Sequence, residues 1–447
     1  MNALLWVTVL ALGSADSRID ALFQEFDRPG SPGCAVGVYL DGSLSYARGF
    51  GFSNLDHEVP IEPSTVFYVG SVSKQFTAMS VALAAREGKL SLDDPVRKYL
   101  PEPPDFGKPI TIRHFLHHTG GLREKWDLLE MSGWRDGDVV TLDDVLERVS
   151  RQRELNFPPG TEHLYNNTGY DLLSIVVHRA TGKTLAEYAR EHIFEPLGMK
   201  DTRFVDDRRL VIPRRATGYS RGADGRFQVD MPNLTTTGSG SLYTTVLDLA
   251  LWDESFYSGK LGGKDLVTLV ETPGTLADGT KLTYAFGLSV DTDHGLRRVE
   301  HGGALVGYRA QITRYPEKHF SVAVLCNVAS ARPGELASRI AEIYLGLPAE
   351  ASEDTEDPEP PPYEPEEVAS YSGTYESPEL GVQWTLAGDD TLVLKRWRFE
   401  DETLLPVARD EFRSALGTMR FQRGASGAVA GFTLSTGRSR NVRWEKR

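Results

Sequence analysis

"FYVGSVSKQFTAMSVALAAREGKL", residues 67–90, places Lys74 three residues after Ser71, at the mouth of a segment with almost no other charge. From Phe76 to Ala85 no side chain ionises, and Arg86, Glu87 and Gly88 then supply a stop. A helix apolar on every face is a buried one, so an ammonium in its first turn either snorkels outward or is held inside for a purpose. Residues at i and i+3 share a helix face, which points Ser71 and Lys74 the same way. The pair reads as a candidate nucleophile and its activator. The bland alternative is a capping serine followed by a surface lysine. S-x-x-K occurs by chance roughly once or twice in a chain of this length, so the choice needs further residues.

A serine nucleophile needs a base, because a hydroxyl attacks weakly at neutral pH. "FPPGTEHLYNNTGYDLL" (157–173) offers Tyr165, in the only Y-x-N of the chain, Tyr165-Asn166-Asn167. It follows a Pro-Pro-Gly turn and precedes a helix, so it sits on a loop from which a side chain can reach into a cleft. A phenol near a lysine ammonium has its anionic form favoured, which makes it a usable general base. Asn167 would offer an amide to the substrate and the lysine. A packed tyrosine beside a helix-start asparagine is the alternative.

Acyl transfer also needs two backbone N–H groups aimed where an oxyanion forms. One can be that of Ser71, at the positive end of its helix. The other should come from a strand beside the site. "EHGGALVGYRAQITRY" (300–315) fits, since His301-Gly302-Gly303 lead into an alternating run and glycines permit close approach to the backbone. His118-Thr119-Gly120 also matches H-x-G, but it precedes Tyr165 and no strand follows it, so it is rejected as the third element. His114, His117 and His118 have a spacing that can ligate zinc. No carboxylate or cysteine partner stands obviously near, so no metal is expected, and their role is read as packing a turn behind the nucleophile helix.

At 447 residues the chain exceeds what one core usually holds, and two domains are expected. A hydrophobic content of 40% with 25% charged residues is that of a soluble globular protein. The net charge of -14 argues against nucleic acid as a partner, because phosphate binding needs a basic face. "EASEDTEDPEPPPYEPEE" (350–367) has almost nothing to bury and reads as an extended acidic linker. Residues 1–15, "MNALLWVTVLALGSA", read as a signal peptide cleaved after Ala15 and too short to span a membrane, although the leading residues carry no Lys or Arg. Export to a periplasmic or extracellular location follows as an expectation, with no membrane span in the mature chain. Cys34 and Cys326 fall in apolar strand-like runs and are expected as a buried free pair, with a disulfide as the alternative.

"SRIDALFQEF" (17–26) reads as an amphipathic helix. "CAVGVYL" (34–40) and "SYARGFG" (45–51) read as strands joined around Asp41-Gly42, a hairpin signal. Helices are expected from Ser71 to about residue 200, including "SLDDPVRKYL" (91–100), "TLDDVLERVSRQ" (141–152) and "GYDLLSIVVHRATG" (169–182). Strands return in "YAFGLSV" (284–290), "YRAQITRY" (308–315) and "FSVAVLCNV" (320–328), and the helix "PGELASRIAEIYLGL" (333–347) closes the region. The pattern predicts an α/β fold, an antiparallel sheet flanked by terminal helices with an all-helical insert. Beyond the linker, short alternating runs from "YSGTYESPE" (371–379) to "NVRWEKR" (441–447) predict a small all-β domain, sandwich or barrel.

In order, Ser71-Val72-Ser73-Lys74, Tyr165-Asn166-Asn167 and His301-Gly302-Gly303 resemble the three motifs of the penicillin-recognising serine hydrolases. The pattern is most similar to the class C β-lactamase, DD-peptidase, D-aminopeptidase and esterase group. "LHHTGGL", "IFEPLGMKDTRF" and "GSGSLYTTVLDLALW" are similar too, and the likeness spans roughly residues 18–345. It implies a β-lactamase/transpeptidase-like domain over 16–347, a linker over 348–367 and a lipocalin-like β-barrel over 368–447. It implies that Ser71 is acylated, that Lys74 helps strip its proton, and that Tyr165 serves as base and then as acid to the leaving group. Asn167, His301 and Gly303 would contact substrate, and the N–H groups of Ser71 and Ala304 would hold the oxyanion. No cofactor is implied. Where relatives carry lysine this chain has His301, which is mostly neutral at pH 7, so anchoring of a substrate carboxylate is in doubt. The appended domain borders the cleft in such relatives, which implies a limit on substrate size. The expected activity is hydrolysis of small amides or esters, including D-amino-acid peptides. A β-lactamase or DD-carboxypeptidase is the alternative within enzymes, and a non-catalytic peptide- or cell-wall-binding protein the alternative outside them. The partner is a small-molecule or short-peptide substrate, and the oligomeric state stays open.

Overall fold

A computed structural model describes residues 15–348 and 368–447. The expected leader, apart from Ala15, and the acidic linker, apart from residue 348, lie outside the described residues. The described chain falls into two compact units, one formed by 15–94 with 170–348, the other by 95–169 with 368–447.

The first unit is built on a six-stranded antiparallel sheet. Its strands are β1 (Cys34–Leu40), β2 (Ser43–Phe50), β3 (Ser289–Asp293), β4 (Leu296–Leu305), β5 (Tyr308–Tyr315) and β6 (Phe320–Cys326), in the order β3-β4-β5-β6-β1-β2. Asp41 and Gly42, both at positive φ, turn β1 into β2 as the hairpin signal requires. Alternation along β1 divides its side chains between two faces. Cys34, Val36 and Val38 join a core with Phe320, Val322 and Val324, covered by helix α1 (15–22), which contributes Ile19, and by the late helix α7 (Pro333–Leu345), which contributes Ala337 and Ile340. On the other face the Tyr39 hydroxyl donates to the carbonyl of Val246, at the start of helix α6 (Val246–Ser258).

The expected free cysteines are corrected. Cys34 on β1 stands opposite Cys326 on β6, and the two form a disulfide. The strands pair in a register that brings these Cα atoms to 4.0 Å. Two further readings change. "SLDDPVRKYL" forms turns and a short 3-10 segment, Val96–Lys98, in place of a full helix. The Ser91 amide is drawn onto the Asp94 carboxylate and Pro95 cannot donate to a helical ladder. "YAFGLSV" is strand only from Ser289, because Gly287, at φ +69, passes against the backbone of Lys74 and Gln75.

In the second unit helices α3 (Lys125–Met131) and α4 (Leu142–Arg151) accompany a nine-stranded antiparallel sheet. Thr141 and Asp144 cap α4 reciprocally. The sheet runs through β7 (Gly373–Ser377), β8 (Val382–Ala387), β9 (Val393–Lys395), β10 (Glu402–Thr403), β11 (Leu405–Ala408), β12 (Glu411–Ser414), β13 (Gly417–Arg423), β14 (Val429–Ser435) and β15 (Val442–Lys446). The order is β10-β9-β8-β7-β15-β14-β13-β12-β11, so the two edge strands are chain neighbours and the sheet is a nearly closed barrel. Its core holds Tyr375, Trp384, Phe412, Phe421, Phe432 and Trp444, and Leu128 and Met131 of α3 belong to the same core.

Candidate active site

Helix α2 (Ser73–Arg86) is buried along nearly its whole length, as its lack of charge predicts. It is entered through a 3-10 turn, Gly70–Val72, in which Gly70 takes φ +52. Ser71 is half-buried on this turn, and Lys74, one turn on, is fully buried. The Lys74 Nζ donates to Ser71 Oγ at 3.0 Å and to the carbonyl of Ser239 at 2.9 Å. It also lies 5.6 Å from the Tyr170 ring. The Ser239 carbonyl is itself fixed, since the Ser239 amide donates to Asp171 and the adjoining Gly238 carbonyl accepts from Thr77. Burial of an ammonium is costly without such partners, so this lysine is held inside rather than snorkelling.

Strand β4 runs against the same turn. A Cβ on Gly303 would stand 2.0 Å from the carbonyl oxygen of Val69 and 3.0 Å from the amide nitrogen of Ser71. One on Gly70 would stand 2.7 Å from the amide nitrogen of Ala304. Glycine at both positions therefore permits a close backbone approach between the Ser71 turn and the Gly303–Ala304 segment of β4.

His301, two residues earlier on β4, is 7% exposed. Its Nδ1 donates to the Gly302 carbonyl at 2.6 Å, which leaves Nε2 to accept from the Tyr284 hydroxyl at 2.9 Å. Burial, reinforced by the nearby Lys74 charge and opposed by the Gly302 carbonyl, pushes its pKa down to about 4. The ring is neutral at physiological pH and supplies no fixed positive charge. Ser71, Lys74, His301, Gly303 and Ala304 thus come together in the first unit.

Tyr165 and Asn167 belong to the second unit. Tyr165 is half-buried on the loop before helix α5 (Asn167–Thr181). The rejected H-x-G segment supports this loop. His118, at φ +56, packs its ring at a tilt 4.4 Å from that of Tyr165, accepts the Asn166 amide at Nδ1 and takes the Leu164 amide on its carbonyl. His114 instead caps its own short helix by accepting the Thr111 amide. Asn167 is gripped twice by Glu124, whose Oε2 accepts the Asn167 backbone amide at 2.7 Å and whose Oε1 accepts Nδ2 at 3.0 Å. Burial pushes the Glu124 pKa up, and these two donors from Asn167 oppose the rise. Arg438, from the turn between β14 and β15, lays its guanidinium 5.0 Å above the Tyr165 ring.

Sequence reasoning missed Ser239, Tyr284, Glu124 and Arg438. The first lies in "GSGSLYTTVLDLALW" and Glu124 lies just after "LHHTGGL", so two of them sat in or beside phrases already noted. Nothing local marks Tyr284 or Arg438.

The sequence model of the Beta-lactamase family matches residues 19–345. The chain is 28% identical over 416 residues to a D-aminopeptidase of Gluconobacter oxydans (strain 621H), covering 93% of this chain and 76% of that protein. A D-aminopeptidase of Cereibacter sphaeroides (strain ATCC 17029 / ATH 2.4.9) is 29% identical over 335 residues, or 74% of this chain, which spans 63% of that relative's length. The octameric penicillin-binding protein homologue from Pyrococcus abyssi superposes with a TM-score of 0.64 at 25% identity, covering 97% of this chain and 99% of its own. The match over most of the first unit and the ordered motifs lead to one statement: the chain belongs to the Beta-lactamase family, a class of serine hydrolases.

Proposed function

We propose that the protein hydrolyses D-aminoacyl amides and short peptides through an acyl-enzyme on Ser71. The observation that carries this reading is the fully buried Lys74 amine 3.0 Å from Ser71 Oγ, on a turn that the backbone of Gly303 and Ala304 approaches closely. Ser71 Oγ attacks the scissile carbonyl carbon and gives its proton to Tyr165, the base in this reading, while Lys74 holds Ser71 Oγ. The carbonyl oxygen becomes the oxyanion, received by the amides of Ser71 and Ala304. The C–N bond then breaks as Tyr165 returns the proton to the departing nitrogen, leaving an ester on Ser71. Water, deprotonated by the same phenol, releases the acid and restores the serine. The D-aminoacyl preference is supported by the two D-aminopeptidase relatives. The neutral His301 disfavours recognition of a carboxylate on β4, where β-lactams and DD-peptides would need it.

The test is release of nitrophenol from a short-chain p-nitrophenyl ester and of nitroaniline from D-alanine p-nitroanilide, with wild type and Ser71→Ala. Wild-type turnover with loss of at least about 10³-fold in the variant is expected. Equal activity of the two proteins would sink the nucleophile assignment, and inactivity of both would favour a binding protein. Export is part of the same proposal, supported by the Cys34–Cys326 disulfide, which belongs to oxidising compartments. Fractionation of producing cells tests it, with retention in the cytosol as the contrary result.

A further inference from the structure

The turn that joins β14 to β15 is pinned residue by residue to the segments carrying Glu124 and Tyr165. Its Ser439 Oγ accepts the Glu124 amide at 3.0 Å, and the carbonyls of Arg440 and Asn441 accept the Arg123 guanidinium. Asn156 anchors this stretch, donating to the Arg438 carbonyl at 2.8 Å and accepting the amide of Arg440, two residues on, at 2.8 Å. The backbone of Arg438 is therefore fixed while its side chain remains exposed. Two neighbouring arginines have carboxylate partners, Arg440 with Glu162 and Arg443 with Glu154. Among the described residues Arg438 forms no ion pair; its guanidinium has the Tyr165 ring beneath it.

We propose that Arg438 is a specificity residue that receives the free carboxylate of the leaving group, so that the protein prefers D-aminoacyl dipeptides to the matching amides. The proposal rests on Tyr165 acting as proton donor to the leaving nitrogen. Proton transfer puts that nitrogen about 3 Å from the phenol oxygen. The carboxylate carbon of an α-amino acid lies two bonds away, about 2.5 Å from the nitrogen. A guanidinium stacked over the phenol ring is within reach of it. Arg presents a planar fork of N–H donors that matches a carboxylate bidentately. An arginine stays charged at any pH the protein meets, whereas the buried His301 is neutral. The site lies open to water, so the preference weakens as salt screens it.

The experiment compares kcat/KM for D-alanyl-glycine and D-alanyl-glycinamide, which differ only in the carboxylate, for wild type, Arg438→Ala and Arg438→Lys. Wild type is expected to prefer the dipeptide. The ratio of the two constants should fall at least about tenfold in Arg438→Ala, mainly through KM for the dipeptide, with Arg438→Lys intermediate. Raising the salt should compress the ratio in wild type and leave it unmoved in Arg438→Ala. An equal loss on both substrates, or an unchanged ratio, overturns the proposal. Hydrolysis of the p-nitrophenyl ester by wild type and not by Ser71→Ala, with neither dipeptide cleaved, also overturns it while the acyl-enzyme reading stands. Ester hydrolysis unaffected by Ser71→Ala marks the failure of that underlying reading instead.

Discussion

Glu124 accepts both the backbone and the side-chain amide of Asn167. A side-chain amide has one donor end and one acceptor end. With Nδ2 committed to Glu124, Asn167 is oriented so that its carbonyl oxygen is the end left to meet other groups.

Replacing Glu124 by Gln keeps the shape but puts an NH2 group against one of the two Asn167 donors. The Asn167 side chain should then turn over or shift. We expect kcat/KM on D-alanine p-nitroanilide to fall by about tenfold and stability to drop by about 1–3 kcal/mol. Steady-state kinetics and urea unfolding of the two proteins check this, and unchanged kinetics would remove the positioning role.

His301 gives a pH signature. Its folded pKa of about 4 lies below the ordinary histidine value near 6.5. Between those values the unfolded chain takes up a proton that the native site refuses, so stability falls as pH drops from about 6.5 to 4. Above that window the contribution is fully present. A shift of this size corresponds to about 3 kcal/mol. His301→Asn should flatten the fall in unfolding free energy between pH 7 and pH 4.5, measured in urea. Parallel curves for variant and wild type would contradict the burial argument.

Arg123 pairs with Glu379, and both are buried within the second unit. Arg123→Ala leaves an uncompensated carboxylate and should destabilise by about 3–5 kcal/mol. The double variant Arg123→Met with Glu379→Leu removes both charges and should cost less than either single change. Chemical denaturation of wild type, Arg123→Met, Glu379→Leu and the double variant decides it, and an additive loss in the double variant would show that the two charges do not act as a pair.

The parts of the site readable in the sequence were those set by local spacing. Ser71 and Lys74 lie one turn apart and Tyr165 and Asn167 flank one helix start, whereas Gly303, expected to lead into a strand, lies near the end of β4, before the turn at Val306-Gly307. Each motif carries its own geometry. Glu124 and Arg438 were not readable, because their roles depend on partners that chain spacing does not encode. The Cys34–Cys326 bond depended on which strands pair and in what register, which apolar composition leaves open. Two errors had local causes that were visible but underweighted: Pro95 in the expected helix 91–100, and Gly287 in the expected strand 284–290.

The order of the sheet also bears on how the polypeptide is made. β1 lies between β2, which follows it at once, and β6, whose Cys326 is 292 residues from Cys34. During synthesis one edge of β1, with Cys34, Ala35, Val36 and Val38 all fully buried in the finished protein, waits without its neighbour until almost all of the first unit exists. A strand kept waiting in this way is a template for wrong pairing, and contacts of such long range fold slowly. The sheet of the first unit therefore closes around β1 only once its last strand, β6, has been made.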